Sequence, residues 1–280
     1  MKVSIITVTY NSEKTLRDTL ESIELQTYKD IEYIIIDGGS TDNTLKLINE
    51  VSTRVTKCLS ESDNGIYDAL NKGINLSTGD IIGFVHSDDL LARPDIIETI
   101  VSRFHETKAD VVYGDLVFFE KNQIDIIKRY WRSGPFKRSK LSLGWAPPHP
   151  SFYMRRELYK DDGYFDLSYR IAADYDQMVR ILKRDDIKVI YVPQVFVKMR
   201  LGGESTRIDN AISSTKEIVE VMKNHNVNCR VTFPLDVCLP WHIHPDLVMK
   251  YANATVFCRI VPGSLHILQQ AVHSGLQVPV

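Results

Sequence analysis

With 280 residues, 44% of them hydrophobic and 25% charged, the chain can bury a sizeable core as one large or two small domains. A formal net charge of −2 argues against broad, non-specific nucleic-acid binding, which needs a basic surface. No run of about 18 apolar residues occurs, so no transmembrane helix is expected. The four cysteines (Cys58, Cys229, Cys238 and Cys258) lack CxxC spacing and fit reduced thiols in a cytoplasmic protein. The first residues enter a strand directly, with no charged n-region and apolar h-region, so no secretory signal is expected.

Val3 to Val8 is rich in β-branched residues and predicts a buried strand. Leu16, Leu20, Ile23 and Thr27 then recur at helical spacing, with Ser12 as a candidate N-cap. Ile31 to Ile36 is the second strand, ended by Gly38-Gly39, and Leu45 and Ile48 belong to a second helix. A weaker strand spans Val55 to Leu59. Ile66, Ala69, Leu70, Gly73 and Ile74 share one helical face, and Ile81 to Val85 is a fourth strand. Pro94 opens another helix with Ile96, Ile97, Ile100, Val101 and Phe104 turned inward, and Val111 to Phe119 closes the series. Strand–helix alternation of this kind implies a parallel sheet wrapped by helices.

The middle differs in kind. Ile124 to Trp131 reads as a strand with no helix after it, and the Gly- and Pro-bearing stretch from Ser133 to Pro150 predicts a long loop. A helix from Asp174 to about Lys183, a strand from Lys188 to Val197 and a helix carrying Ile208, Ile212, Thr215, Val219 and Met222 follow. Lys128, Arg129, Arg132, Lys137, Arg138 and Lys140 form a local basic patch, either a solvated loop or a surface for an anionic substrate or membrane. Beyond about Asn228 charge thins out and periodicity fades.

In an open α/β sheet, ligands sit at the carboxyl ends of the strands. The first strand is followed by Thr9-Tyr10-Asn11-Ser12, with neither a GxGxxG fingerprint nor a P-loop. After the second strand, Asp37 could accept hydrogen bonds from a nucleoside or serve as a turn-and-cap acid. After the fourth come His86-Ser87-Asp88-Asp89. Adjacent carboxylates repel unless a cation or donors compensate, and a hard divalent metal binds through one or two carboxylates plus phosphate oxygens. The alternative for Asp89 is a turn cap. Asp68, Asn71 and Asn75 line the polar face of an ordinary amphipathic helix, and Asp176 with Arg180 reads as an i,i+4 surface pair.

Taken together, several segments in order resemble family-two glycosyltransferases of the GT-A fold. They are Ser4 to Asn11, Asp37-Gly38-Gly39-Ser40-Thr41-Asp42, Asp63 to Gly73, Gly79-Asp80 and His86-Ser87-Asp88-Asp89. The similarity is closest to bacterial members that build exopolysaccharide, capsule or O-antigen units; it is dense to about residue 95, thinner to about 205 and undetectable in the tail. The resemblance implies an α/β GT-A fold with a mostly parallel sheet. Residues 1–120 would form a nucleotide-sugar-binding half and 121–227 an acceptor-binding and catalytic half of the same domain, with 228–280 a tail of unknown role.

It also implies roles. Thr9 and Tyr10 would flank the base, Asp37 would hold the base or ribose, and Asp63 would position the nucleoside. Asp88 would bind Mn²⁺ or Mg²⁺ with Asp89 beside it, while His86 departs from the family's first acid. In Ala172-Ala173-Asp174-Tyr175-Asp176, Asp174 matches the general base and Ala173 replaces the usual Glu; the rival reading of Asp174 is an N-cap. His149 would lie near the donor phosphates or be a packed loop histidine. Arg200, heading the segment Arg200-Leu201-Gly202-Gly203-Glu204-Ser205, would pair with phosphate or be solvated. One base without a carboxylate nucleophile implies inversion at the anomeric carbon. The donor would be a nucleotide diphosphate sugar, with uridine expected from family frequency. The acceptor would be a glycan or lipid-linked glycan, with contact at the inner face of the membrane. The competing readings are a nucleotidyltransferase of similar fold and a non-catalytic sugar-nucleotide-binding protein.

Overall fold

A computed structural model describes residues 1–161, 163–202 and 208–227. Four strand–helix steps run in order: β1 (Val3–Thr9), α1 (Leu16–Glu24), β2 (Ile31–Asp37), α2 (Thr44–Val51), β3 (Val55–Ser60), α3 (Ile66–Leu76), β4 (Ile81–Phe84), the short β5 (Leu90–Leu91) and α4 (Ile96–Thr107). A hairpin of β6 (Val111–Glu120) and β7 (Gln123–Trp131) follows, then β8 (Phe152–Arg155), α5 (Glu157–Asp161), α6 (Ala173–Leu182), β9 (Val189–Arg200) and α7 (Ile208–Asn224).

The sheet order is β3-β2-β1-β4-β8-β6-β9-β5, with β7 attached to β6 alone. β1 pairs in parallel with β2 and β4, and β2 with β3, as strand–helix alternation requires. The other half is mixed. β8 enters antiparallel between β4 and β6, β5 pairs antiparallel with β9, and β6 pairs in parallel with β9. The expectation of a plain parallel sheet therefore holds for the first half only. β8 is four residues long and β5 two, too short for periodicity to reveal, and β8 lies just past the Gly/Pro-rich stretch. That stretch is itself ordered, with 3₁₀ turns at Arg138–Leu143 and His149–Ser151.

Both faces of the central strands are covered, which explains why β1 is buried at every position. One core joins Ile6, Val8 and Phe84 to α3 and α6. The other joins Val3, Ile5 and Tyr33 to α1, α2 and α4. Gly73 lets α3 lie directly on β1, because a Cβ there would come within 2.5 Å of Ile6 Cγ2.

Local details depart from expectation in several places. Ser12 is not a side-chain cap: its carbonyl receives the Thr15 and Leu16 N–H groups at 3.1 and 3.0 Å, while its hydroxyl meets Ser87 Oγ at 3.0 Å. α1 ends at Glu24, so Thr27 lies beyond it and bonds the Pro94 carbonyl. The Asp176–Arg180 pair is not a surface pair. Asp176 is 2% exposed, and besides Arg180 Nε at 2.8 Å it meets His225 Nε2 at 2.7 Å. The basic patch stays largely exposed, with local partners. Lys128 bridges Glu120, Arg138 bridges Asp185, Lys140 lies over Trp145, and Arg129 and Arg132 lie over Phe118 and Tyr130. Among the described residues no helix is long and apolar enough to cross a membrane.

Candidate active site

The carboxyl ends of β1, β2 and β4 open on one edge, and the residues after them build the first half of the site. Asn11 adopts a left-handed conformation (φ 49°), one that asparagine tolerates. Its side chain receives the Thr41 N–H at 2.9 Å, and its own N–H donates to Ser40 Oγ at 2.8 Å, so the β1 and β2 loops are stitched together. Asp37 organises the second loop. Its Oδ2 receives Gly39 N–H, Ser40 N–H and the Ser60 hydroxyl at 3.1, 2.9 and 2.6 Å, and its Oδ1 receives the Ser40 hydroxyl at 2.5 Å. A carboxylate offers about four lone-pair sites, and here four protein donors reach a fully buried side chain. Three of these donors fall on Oδ2 and one on Oδ1, so the geometry supports a turn-organising role for Asp37 and leaves Oδ1 a further acceptor position.

Tyr10 and Asp63 converge over Gly38. A Cβ at 38 would lie 2.6 Å from Asp63 Oδ2, so a side chain there would push the Asp63 carboxylate aside, and it would touch the Tyr10 ring at 3.5 Å. Tyr10 is 63% exposed and presents an open ring face. Thr9 is buried, and its hydroxyl has no partner.

The second group follows β4. The His86 and Asp89 carbonyls both receive the Thr19 hydroxyl, at 3.3 and 2.7 Å, which pins this loop to α1. Asp89 is 1% exposed; its Oδ1 receives only the Arg200 N–H at 3.3 Å, and its Oδ2 has no partner. Burial, aggravated by the neighbouring Asp88 charge, pushes the Asp89 carboxyl well above the usual carboxylate range. His86 Nδ1 is also buried without a partner, and burial lowers the affinity of that ring for a second proton. Orphaned acceptors beside a half-buried Asp88 are what a missing cation would relieve, so the donor set fits a hard divalent ion. Among the described residues no three His, Cys, Asp or Glu side chains form a closed cage. An ion held by one or two carboxylates and the phosphates of its substrate needs none.

Arg200 braces this loop. Its Nε donates to the Asp88 carbonyl at 3.3 Å, one terminal nitrogen donates to the Lys121 carbonyl, and the other meets Asp18 Oδ2 at 2.6 Å. The guanidinium also stacks 4.7 Å over Phe119, and the residue is 7% exposed. With three of its five N–H donors committed inside the protein it is not a solvated arginine, and its Nε supports the Asp88 peptide. Gly203, Glu204 and Ser205 of the segment it heads lie outside the described residues, as do Cys229, Cys238, Cys258 and all of 228–280.

His149 comes to the same place from the 3₁₀ turn before β8. It is buried, stacks on Phe84 at 5.1 Å, meets the edge of Phe165 at 5.5 Å and stands 6.2 Å from the His86 ring. Burial and the adjacent His86 push its pKa down to about 3, so the ring is neutral at physiological pH. Its Nε2 has no partner.

Asp174 occupies the second position of α6, whose N-cap residue is Ala172. Its Oδ1 receives the adjacent Tyr175 N–H at 2.7 Å and the Tyr67 hydroxyl at 3.4 Å. Desolvation raises its pKa to about 6, against the lowering effect of these bonds. A carboxyl titrating near neutrality with no cation against it can accept a proton during reaction. A chain of rings joins it to the Asp88 loop: Tyr67 meets Phe165 at 5.5 Å, Phe165 meets His149, and His149 meets His86.

Tyr67, Phe165 and Asn71 were not singled out as site residues from sequence. The polar face of α3 holds Phe165 in place: Asn71 Nδ2 donates to the Phe165 carbonyl and Asn71 Oδ1 receives the Phe165 N–H, each at 2.9 Å. Asn75 receives the Tyr164 hydroxyl. Two asparagines at i,i+4 on a helix were the available signal, since a solvated face needs no such acceptor–donor pairs.

A helix-wrapped sheet with two adjacent acids at one strand end and a further raised acid at the start of α6 is compatible with group transfer from a phosphate-bearing donor. Comparison makes this specific. The "Glycosyl transferase family 2" model matches residues 4–161. A "PGL/p-HBAD biosynthesis glycosyltransferase" from Mycobacterium bovis is 31% identical over 210 residues, covering 73% of this chain and 79% of that protein. The chain belongs to glycosyl transferase family 2, and it is a glycosyltransferase. Solved structures share the GT-A fold. S. aureus TarS 1–349 in complex with UDP-GlcNAc has a TM-score of 0.61 at 22% identity, covering 81% of this chain and 66% of that one. The mannosyltransferase PcManGT from Pyrobaculum calidifontis, in complex with GDP-Man and Mn²⁺, has a TM-score of 0.58 at 16% identity, covering 97% and 79%. Against the longer TarS chain, the protein spans 40% of the length.

Proposed function

We propose that the protein is a metal-dependent, inverting glycosyltransferase that moves a sugar from a nucleotide diphosphate donor, a UDP-sugar, to an acceptor hydroxyl on a glycan or lipid-linked glycan. The observation that carries this reading is the separation of acids. Asp88 and Asp89 crowd together at the end of β4, whereas Asp174 stands apart at α6 with a pKa raised to about 6. Tyr10 and Asp63, over Gly38, take the nucleoside, with Thr9 beneath; Asp37 shapes the loop they stand on. Asp88, with Asp89 beside it, would hold Mn²⁺ or Mg²⁺, and the ion would supply charge neutralisation for the departing diphosphate. His149 would lie near the donor phosphates; its neutral ring and unpartnered Nε2 support that reading. Asp174 takes the proton from the acceptor hydroxyl as it attacks the anomeric carbon. With Asp174 as the one base, a single in-line displacement inverts the centre; a retaining route needs a carboxylate nucleophile as well.

Two features support the donor class: TarS is named in complex with UDP-GlcNAc and PcManGT with Mn²⁺. A role in exopolysaccharide, capsule or O-antigen synthesis belongs to the same reading; the mycobacterial relative is named for PGL/p-HBAD biosynthesis. A thermal-shift screen of nucleoside diphosphates with and without Mn²⁺ tests the reading. UDP should stabilise the protein only when Mn²⁺ is present. Equal stabilisation by every diphosphate without metal would contradict it.

A further inference from the structure

Helix α6 starts without a cap of its own. Ala172 and Ala173 open it, and neither side chain can accept a hydrogen bond. The three backbone N–H groups just ahead of it are collected by one side chain from α7. Glu217 Oε2 receives the Ile171 and Ala172 N–H groups, both at 2.8 Å, and Oε1 receives the Arg170 N–H at 3.3 Å. Consecutive N–H groups converging on one anion form a nest, and the positive end of the helix dipole adds to its attraction. A second link lies on the other side of Asp174, where His225 at the end of α7 meets the buried Asp176 at 2.7 Å. α7 therefore grips α6 at points that bracket the acid.

We propose that Glu217 is a positioning residue for the transfer reaction: its carboxylate, seated in the 170–172 nest, fixes the start of α6 and sets the charge beside Asp174. The inference rests on the reading of Asp174 as the base. The titratable groups facing Asp174 are Tyr67 from α3 and Glu217 from α7. Tyr67 is held neutral by burial, and its hydroxyl bonds both the Ile171 carbonyl and Asp174. Glu217 acts in the same direction as desolvation, keeping a proton on Asp174 to higher pH. Its two effects are separable. Gln keeps an oxygen for the nest and loses the charge; Ala loses both.

The test needs no substrate. Carbon-13 NMR of labelled aspartate carboxyls in the full chain follows the Asp174 signal, assigned by its loss in Asp174→Asn, across about pH 4 to 8. In Glu217→Gln the Asp174 midpoint should fall, because removing a nearby negative charge favours the ionised form. In Glu217→Ala the amides of residues 171 and 172 should exchange with solvent at least about tenfold faster, and Gln should restore most of that protection. An unmoved Asp174 midpoint in Glu217→Gln, or unchanged exchange in Glu217→Ala, overturns the proposal. Should Glu217→Ala fail to fold, the Gln variant alone decides. Failure of the base assignment would show elsewhere, as near-normal turnover by Asp174→Asn, and would leave this titration readable.

Discussion

Asp37, at the end of β2, and Asp174, at the start of α6, are acids in the two halves of one sheet fold, and they are treated in opposite ways. Asp37 is fully buried, but two backbone N–H groups and two serine hydroxyls surround it. Asp174 has one short bond, to its neighbour's N–H, and one long one, to Tyr67. The first arrangement stabilises a charge and freezes a loop. The second leaves a charge poorly solvated and raises its proton affinity. Provision of donors makes an acid structural; deprivation makes it reactive. The same rule separates Arg200, with three of its donors committed inside the protein, from His149, whose Nε2 has no partner.

The comparison is broken most directly at Asp174. Asp174→Asn should lower transfer by roughly 100- to 10,000-fold, the usual contribution of a positioned general base, while donor binding survives. Near-normal turnover in single-turnover assays would return Asp174 to a structural role. Next in size is Asp88→Ala, which should abolish Mn²⁺-dependent UDP binding, measured calorimetrically, and leave the circular dichroism spectrum intact. Retained metal-dependent affinity would move the metal elsewhere. Asp37→Ala should instead act on the fold, costing about 2 to 4 kcal/mol in urea denaturation by stranding four donors. A loss below about 0.5 kcal/mol with weakened nucleotide binding would turn Asp37 back into a ligand residue.

The smallest effect is the most diagnostic of deprivation. A carboxyl whose folded pKa is raised to about 6 binds its proton more tightly in the native state, so its ionisation costs stability above that pH. Asp174→Asn, which mimics the neutral form, should gain about 1 to 2 kcal/mol near pH 8, discounted for partial exposure, and nothing near pH 4. The acid limb of the wild-type rate profile should fall away as pH drops through about 6. A stability gain equal at both pH values would show that the substitution acts through packing and not through ionisation.

The parallel half of the molecule was legible in the sequence because its strands are rich in β-branched residues, β1 and β2 are almost wholly buried, and an amphipathic helix follows each of those two. Leu16, Leu20 and Ile23, or Ile96, Ile100 and Phe104, report their helices without help from the rest of the chain. The mixed half was not. β8 is four residues inside the reach of a Pro-rich loop, and β5 is a two-residue pairing that exists only because β9 runs past it. Pairing of that kind is a tertiary fact with no local period. The site divides likewise. Asp88 and Asp89 announce themselves as adjacent acids at a strand end. Asp37 is visible as an acid, but its set of donors depends on Ser60 from another strand. Glu217, more than forty residues from Asp174, is an unremarkable helix acid until α7 folds against α6.

One measurement bears on the whole division of labour: a crystal structure of the protein with UDP and Mn²⁺. Asp88 should lie in the metal's coordination shell, with Tyr10 and Asp63 against the nucleoside. Asp37 should keep its four protein donors, and Asp174 should face open space with no nucleotide contact. A nucleotide hydrogen-bonded to Asp37, or Asp174 bound to the metal or diphosphate, would contradict the account.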